Sequence, residues 1–313
     1  MSKVKDQYAD GEAARAWARF IGDASRRTRH YGAFLRRLLR ARGAERVLDV
    51  ACGTGVDSVL LLEAGFDVTS CDASDQMLKH ALRTRWARRK EPAFDRWAIE
   101  EANWLTLPED LPDARDRFDA VLCLGNSFAH LPARPGPDPQ ADQRRAIANF
   151  WGCVRPGGAL IVDHRNYDAI LATGATPKSC FYYNNSVTDI RTSVVYVDGE
   201  AVEVAMDYEV GRGDGKSVEA VREESQKAKS CFRLTYYPHR LDDFCALLRD
   251  ALGPVAGHTV YADFRPTPGY THGLEGDGLG LPDLEGDDDA QDGDGDSPDD
   301  QPAVYVHVLQ KPL

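Results

Sequence analysis

Residues Arg46 to Gly55, R-V-L-D-V-A-C-G-T-G, run an apolar strand straight into a turn carrying two glycines. The next ten residues, Val56 to Gly65, have the apolar content of a helix and a glycine stop. A second short strand, Asp67 to Cys71, ends on Asp72. Strand, glycine turn, helix, strand and acidic end form the half-fold of a doubly wound sheet that holds a nucleoside outside its strand ends. Gly53 and Gly55 permit a tight turn and let a ligand approach the backbone. Asp72 lies nineteen positions after Gly53, where a carboxylate can accept hydrogen bonds from ribose hydroxyls.

The dinucleotide fingerprint G-x-G-x-x-G has Ser58 in its third place here. Asp49 inside the strand end is also unlike an NAD site. Asp49-x-x-x-Gly53-x-Gly55 resembles motif I of the S-adenosylmethionine-dependent methyltransferases. On this motif alone, dinucleotide binding and a purely structural turn stay open.

The alternation continues. A helix is expected over 29–42, with Phe34, Leu35, Leu38 and Leu39 on one face. Another is expected from Asp75 to Arg89, with Ser74 as N-cap. Strands are expected at 97–100 and at 118–124, the latter a near-continuous apolar run buried on both faces. A helix over 141–154 leads to the turn Arg155-Pro156-Gly157-Gly158 and a strand over 159–163. Such a succession argues for a parallel sheet. At about residue 176 the rhythm changes. Two β-runs, 191–197 and 200–208, flank Asp198-Gly199, a hairpin signal. After a helix over 241–252 come β-runs at 258–264 and 303–310, the last expected as an antiparallel edge of the main sheet. The expected divisions are an arm (1–28), a core (29–175), an antiparallel lid or insert (176–237) and a C-terminal part of the core sheet (238–313).

The net charge of −12 comes from one segment. Twelve of the fifty acidic residues lie between Leu274 and Asp300, which holds no Lys or Arg; the other 38 balance the 38 basic residues. This Gly/Asp/Pro-rich tract is too polar to bury, so a disordered loop is expected at about 273–301. It repels phosphate backbones, and the basic run Arg83 to Lys90 suits one helix C-terminus, so no nucleic-acid partner is expected. No metal is expected either, because Asp292 to Asp296 breaks the EF-hand pattern at Ser297 and Ala303. No run reaches the ~18 apolar residues of a membrane span. With no apolar signal region at Met1 to Asp6, a cytoplasmic protein without membrane association is expected. Cys52, Cys71, Cys123 and Cys153 sit in apolar patterns and read as reduced core residues.

The candidate chemistry lies just past the strands. Asn103-Trp104 offers a hydrogen-bonding edge and a flat face for adenine, with core packing an equal reading of Trp104. Leu124-Gly125-Asn126-Ser127-Phe128-Ala129-His130 and Asp163-His164-Arg165-Asn166-Tyr167 follow two buried strands. Their ends face the crevice of a doubly wound sheet. Arg165 can fork onto a carboxylate with two parallel bonds, or pair with a neighbouring Asp.

Longer strings carry a family resemblance. Asp6 to Arg15, the motif I stretch, Lys90 to Asp95, Glu101 to Leu107, Gly125 to Pro132, Asp163 to Tyr167 and Tyr236-Tyr237-Pro238-His239 are similar to the glycine N-methyltransferases. The similarity spans Asp6 to Phe264 and the final strand. It implies an α/β, doubly wound, mostly parallel Rossmann-like methyltransferase sheet with a small antiparallel lid and an N-terminal arm. It also implies a homotetramer whose arm reaches a neighbouring active-site entrance. The implied reaction moves a methyl group from S-adenosylmethionine to glycine. By the same resemblance Tyr8, Trp17, Arg27, Ala51, Gly53, Asp72, Asn103, Trp104, Leu124 and His130 hold the cofactor, with Phe20 at a position where the family has tyrosine. Arg165 grips the glycine carboxylate. Gly125, Asn126 and Tyr183 orient the amine, and Tyr208 and Tyr236 line the transfer pocket, with Tyr8 at its entrance. The arm before Asp6 is shorter than in the animal enzymes, which puts in doubt the folate inhibition attributed to it.

Methyl transfer is an in-line displacement that needs a neutral, aligned amine more than a dedicated nucleophile. No Ser/His/Asp constellation is required. Two alternatives stay open: an enzyme that also methylates sarcosine toward betaine, and a protein that binds S-adenosylmethionine or folate with little turnover.

Overall fold

The computed structural model describes residues 7–9, 11–21, 29–134, 136–176, 187–210, 230–265, 268–271 and 301–313. The acidic tract expected to be disordered lies almost wholly outside them. The first helix, α1 (Glu12–Ile21), belongs to the arm. Helix α2 (Arg29–Ala41) buries Tyr31, Phe34, Leu35, Leu38 and Leu39, the face its spacing predicts. Then β1 (Arg46–Asp49), α3 (Val56–Glu63), β2 (Asp67–Asp72), α4 (Asp75–Ala87), α5 (Pro92–Arg96) and β3 (Ala98–Glu101) follow in turn. After α6 (Leu107–Asp110) come β4 (Phe118–Cys123), buried at every position, α7 (Ala141–Cys153), β5 (Val154–Arg165) and α8 (Tyr167–Thr173).

These strands and three later ones, β9 (Gly257–Ala262), β10 (Pro268–Thr271) and β11 (Val304–Gln310), make one eight-stranded sheet. Its order is β10-β9-β11-β5-β4-β1-β2-β3. Pairs β1–β2, β2–β3, β1–β4 and β4–β5 are parallel, while β11 runs antiparallel to both β5 and β9. Strand order reverses between β1 and β4, so the crevice for a ligand opens above their C-terminal ends. A separate antiparallel sheet holds β6 (Val187–Val197), β7 (Glu200–Val210) and β8 (Ser230–Tyr236). Asp198 and Gly199, both at positive φ, close the expected hairpin.

Two expectations need correction. Strand β11 is not the edge: it lies between β5 and β9, buried from Val304 to Leu309, and β10 is the edge. A strand covered on both faces reads as a continuous apolar run wherever it sits in the order. The segment Arg155 to Gly158 is no separate turn but the irregular start of β5. There the register with β4 shifts between Phe118 and Ala120, and Gly157 has φ +74°. A Cβ on Gly158 would come within 2.7 Å of the Asp119 carbonyl oxygen, so glycine lets the strands approach.

Gly55 is held by two constraints. Its φ is +85°, and a Cβ there would lie 2.7 Å from Trp97 Cη2 and 3.1 Å from Ala81 Cβ. The α3 start is therefore docked onto the wall formed by Trp97 and α4. We expect Gly55→Ala to cost ~2–5 kcal/mol, combining left-handed strain with overpacking. Urea unfolding checks this; a midpoint within error of the parent would refute it.

Candidate active site

The loop after β1 is fastened to the end of β2. Asp72 accepts the Gly53 N–H at 2.9 Å through Oδ2 and the Ser74 N–H at 2.9 Å through Oδ1. Gly53 has φ +52°, and a Cβ on it would stand 3.3 Å from Met77 Cε. The expected ribose acceptor thus also braces the glycine turn. Ala51, half-buried, donates its N–H to Asp49 Oδ1 at 3.2 Å.

Beneath this loop runs a buried chain. Trp97 Nε1 donates to Ser70 Oγ (2.7 Å), Ser70 Oγ to Ser58 Oγ (2.8 Å), and Ser58 Oγ to Asp49 Oδ2 (2.8 Å). Ser58, the residue that breaks the dinucleotide fingerprint, is the link that reaches Asp49. Burial, with Asp57 adding to it, pushes the Asp49 carboxyl up to about 7. A raised carboxyl favours the folded state below its unfolded pKa, near 4, and that contribution is lost as pH climbs through 7. Asp49→Asn should therefore flatten the stability–pH profile between about 4 and 7, a window worth up to ~4 kcal/mol. Urea midpoints of both proteins at pH 5 and pH 8 test this; parallel profiles would refute it.

The loops after β4 and β5 are tied by a fully buried carboxylate. Asp163 accepts the Gly125 N–H at 3.0 Å and the Asn126 N–H at 2.7 Å. Both donors have positive φ, +77° and +60°. Asn126 Oδ1 accepts the Arg165 N–H at 3.0 Å, and its Nδ2 lies 3.0 Å from the Tyr167 hydroxyl. Leu124, Asn126, Arg165 and Tyr167 are all buried. Burial pushes the Tyr167 hydroxyl upward, against the Asn126 bond and the charge of Arg165.

The small sheet supplies the opposite wall. Tyr208 and Tyr236 place their hydroxyl oxygens 3.0 Å apart, both side chains buried. Burial, then Tyr208, holds the Tyr236 hydroxyl far above its usual range, so it stays protonated. The charge of Arg165 reaches both Tyr236 and Tyr167, which joins this wall to the β5 loop. The His130 ring lies 4.7 Å from the Tyr236 ring and 6.2 Å from Tyr8, centroid to centroid. Burial brings His130 down to about 4, leaving it uncharged at neutral pH.

The arm closes the same side. Gln7 pairs with the Thr235 backbone, accepting its N–H at 2.7 Å and donating to its carbonyl at 2.9 Å, and it also lies 3.0 Å from His130 Nδ1. Trp17 packs edge-on against Tyr208 and Phe232, both at 6.0 Å. Helix α1 lies on the chain's own small sheet, where Trp17 finds aromatic partners.

The remaining candidates divide. Trp104 satisfies both readings of its position: Nε1 donates to the Val50 carbonyl at 2.6 Å, the ring packs on Phe128 and Phe150, and the residue remains half-buried at the crevice. Asn103 is exposed and turns its Oδ1 onto the Leu105 N–H at 2.9 Å. Phe20 lies in α1, but its side chain, like Arg27 and Tyr183, is outside the described residues. Asp163, Tyr167 and Gln7 are the neighbours to which sequence reasoning gave no role of their own. A buried acid at a strand end, two residues before Arg165, was the available signal for the first.

The braced glycine turn, Asp72, the half-buried Trp104 and the uncharged His130 all stand at or beyond the C-terminal ends of the parallel strands. Residues 47–158 match the profile of a family described as a methyltransferase domain. Among solved structures, an S-adenosylmethionine-dependent methyltransferase from Clostridium acetobutylicum superposes with TM-score 0.59 at 13% identity, covering 97% of this chain and 99% of that one. That likeness concerns the fold. The chain is 54% identical over 272 residues to the glycine N-methyltransferase of Rattus norvegicus, covering 86% of this chain and 90% of the relative. It is 53% identical to the Homo sapiens protein over 273 residues, with the same coverages. A glycine/sarcosine N-methyltransferase of Aphanothece halophytica is 31% identical, covering 84% and 85%. With its sheet order, its motif I turn and this extent of identity, the chain belongs to the glycine N-methyltransferase family.

Proposed function

We propose that the chain transfers the methyl group of S-adenosylmethionine to the amine of glycine, giving sarcosine and S-adenosylhomocysteine. The observation that carries this reading is the buried Arg165, whose N–H is fixed by Asn126 Oδ1 and whose charge reaches Tyr236, the ring that packs on the uncharged His130. A small amino acid offers a carboxylate for that fork and an amine for the polar groups beside it. When bound, the donor supplies a sulfonium-activated methyl group.

The chain's residues then do the positioning. Arg165 clamps the carboxylate, and Gly125, Asn126 and Tyr183 orient the neutral amine. Tyr236 keeps its proton, and both Tyr208 and Tyr236 present hydroxyl oxygens to the transfer path. The amine proton released on methylation passes to solvent. Gly53, Ala51, Asp72, Asn103, Trp104, Leu124 and His130, with Tyr8, Trp17, Phe20 and Arg27 from the arm, enclose the donor. The small sheet and the arm together serve as the lid that excludes water.

We extend the proposal to a cytoplasmic homotetramer. Val195, Tyr196, Val197 and Val202 near the β6–β7 turn are 41–55% exposed, an apolar surface suited to a neighbouring subunit. Light scattering of the purified protein tests that mass. For the activity, the full chain is incubated with methyl-labelled donor and glycine, and separately with sarcosine. Labelled sarcosine supports the proposal, and dimethylglycine in the second arm extends it to the broader enzyme. No methylated product from either would leave a donor-binding protein.

A further inference from the structure

A second cluster of chemically capable side chains lies across β5, β11 and β9, beneath the helix α9 (Leu241–Leu252). His164 faces Tyr305, His307 faces both Val162 and Val260, and His258 faces Leu309. The three imidazoles therefore share one sheet face and form a diagonal row, one per strand. Cys245 of α9 comes down onto the row. One donor atom each of Cys245, His258 and His307 lie within 4.8 Å of one another. Cys245, His164 and His307 are fully buried, and His258 is 9% exposed at the end of the row.

The hydrogen bonds set the tautomers. The Arg165 carbonyl can only accept, so His164 Nδ1, at 2.8 Å, carries a proton and donates to it. His164 Nε2 and His307 Nε2 lie 3.0 Å apart, and with the His164 proton on Nδ1 the donor of this pair is His307 Nε2. His307 Nδ1 in turn faces His258 Nε2, 3.0 Å away. Metal-bound histidines are held in this way, one ring nitrogen on the metal and the other N–H donated to a fixed acceptor.

We propose that Cys245, His258 and His307 bind one divalent cation of the zinc class. Two imidazoles and a thiolate are the donor set that suits zinc and cobalt, and three protein ligands leave a fourth position for water. The cation takes the place of the proton between His258 and His307. His258 keeps its proton by carrying it on Nδ1, and the Cys245 thiol proton leaves to solvent. The site lies outside the crevice, but its ligand His307 connects through His164 to the backbone of Arg165. None of the candidate substrate residues is a ligand.

The test is a titration of the full, reduced, chelator-treated protein with Co2+, followed by Zn2+. The expected result is one Co2+ per chain, with intense thiolate-to-cobalt absorption in the near ultraviolet and the visible bands of a tetrahedral centre, both erased by Zn2+. Cys245→Ser should abolish the near-ultraviolet band and weaken binding at least about tenfold. His258→Gln, a change at the exposed end of the row, should weaken it similarly while keeping the thiolate band. Thermal melts of the metal-free variants check that each still folds. Failure to bind Co2+, or binding without a thiolate band and unchanged in both variants, as the acidic segment Leu274 to Asp300 would give, overturns the proposal.

Discussion

Replacing Arg165 with alanine should raise the glycine KM by about two to three orders of magnitude and leave S-adenosylmethionine affinity nearly unchanged. A bidentate guanidinium–carboxylate pair in a buried site is worth several kcal/mol, ~3–4 for a loss of that size. Arg165 is well placed to deliver it. It is buried at the last position of β5, opposite Val304 of β11, with its own N–H fixed by Asn126 Oδ1 at 3.0 Å. The groups proposed to hold the donor centre instead on Asp72 and Gly53, so donor binding should survive. Arg165→Lys retains the charge but loses the fork, and should fall between parent and alanine. Steady-state kinetics in glycine with calorimetric donor binding distinguish these outcomes. An unchanged glycine KM would remove Arg165 from the substrate site.

The second large effect belongs to a residue that touches no proposed ligand. Asp163→Ala should destabilise the fold by ~3–5 kcal/mol and depress kcat/KM for glycine by at least about tenfold. The carboxylate is fully buried and accepts two backbone N–H groups, from Gly125 and Asn126. Alanine removes the acceptor of both donors and leaves the buried Asn126 N–H unsatisfied, at a cost of ~1–3 kcal/mol. It also frees a loop held at two consecutive positive φ angles, the second at the non-glycine Asn126. Asp163→Asn keeps one acceptor and should lose roughly half as much. Urea unfolding measures the stability and initial rates the activity. A variant as stable as the parent would show that the loop holds its shape without the carboxylate.

The parts of this protein legible in sequence are those whose cause is local. The turn at Gly53 and Gly55 follows a strand and precedes a helix within ten residues, so the half-fold and Asp72 could be read directly. Asn126 and Arg165 were accessible because each stands at or just past the end of a buried strand. Asp163 was less so, because its partners are main-chain N–H groups that no side-chain pattern reveals. Gln7 was hidden by distance, since it meets Thr235 from 228 positions away. The place of β11 was hidden for a related reason. An apolar run states that both faces are covered but not which strands flank it. Family resemblance supplied Tyr208 and Tyr236 as a pocket; their 3.0 Å contact needed β7 and β8 in register, with Tyr208 opposite Phe232 and Tyr236 opposite Val204.

The position of β11 bears on the order in which the protein can be made. Strands β5 and β9 do not pair with each other; the seam between them is filled by β11, whose first residue is 42 positions beyond the end of β9 at Ala262. Synthesis proceeds from the N-terminus, so the β5-β4-β1-β2-β3 block, with its glycine turn and Asp72, emerges complete while the other flank has no partner. Until β11 arrives, β5 exposes an unpaired edge along the stretch that ends in Arg165. The nascent chain thus holds the glycine turn and Asp72 before the strand that ends in Arg165 is paired on both sides. A ribosome pausing between β9 and β11 would present that apolar edge to chaperones, or to another unfinished copy.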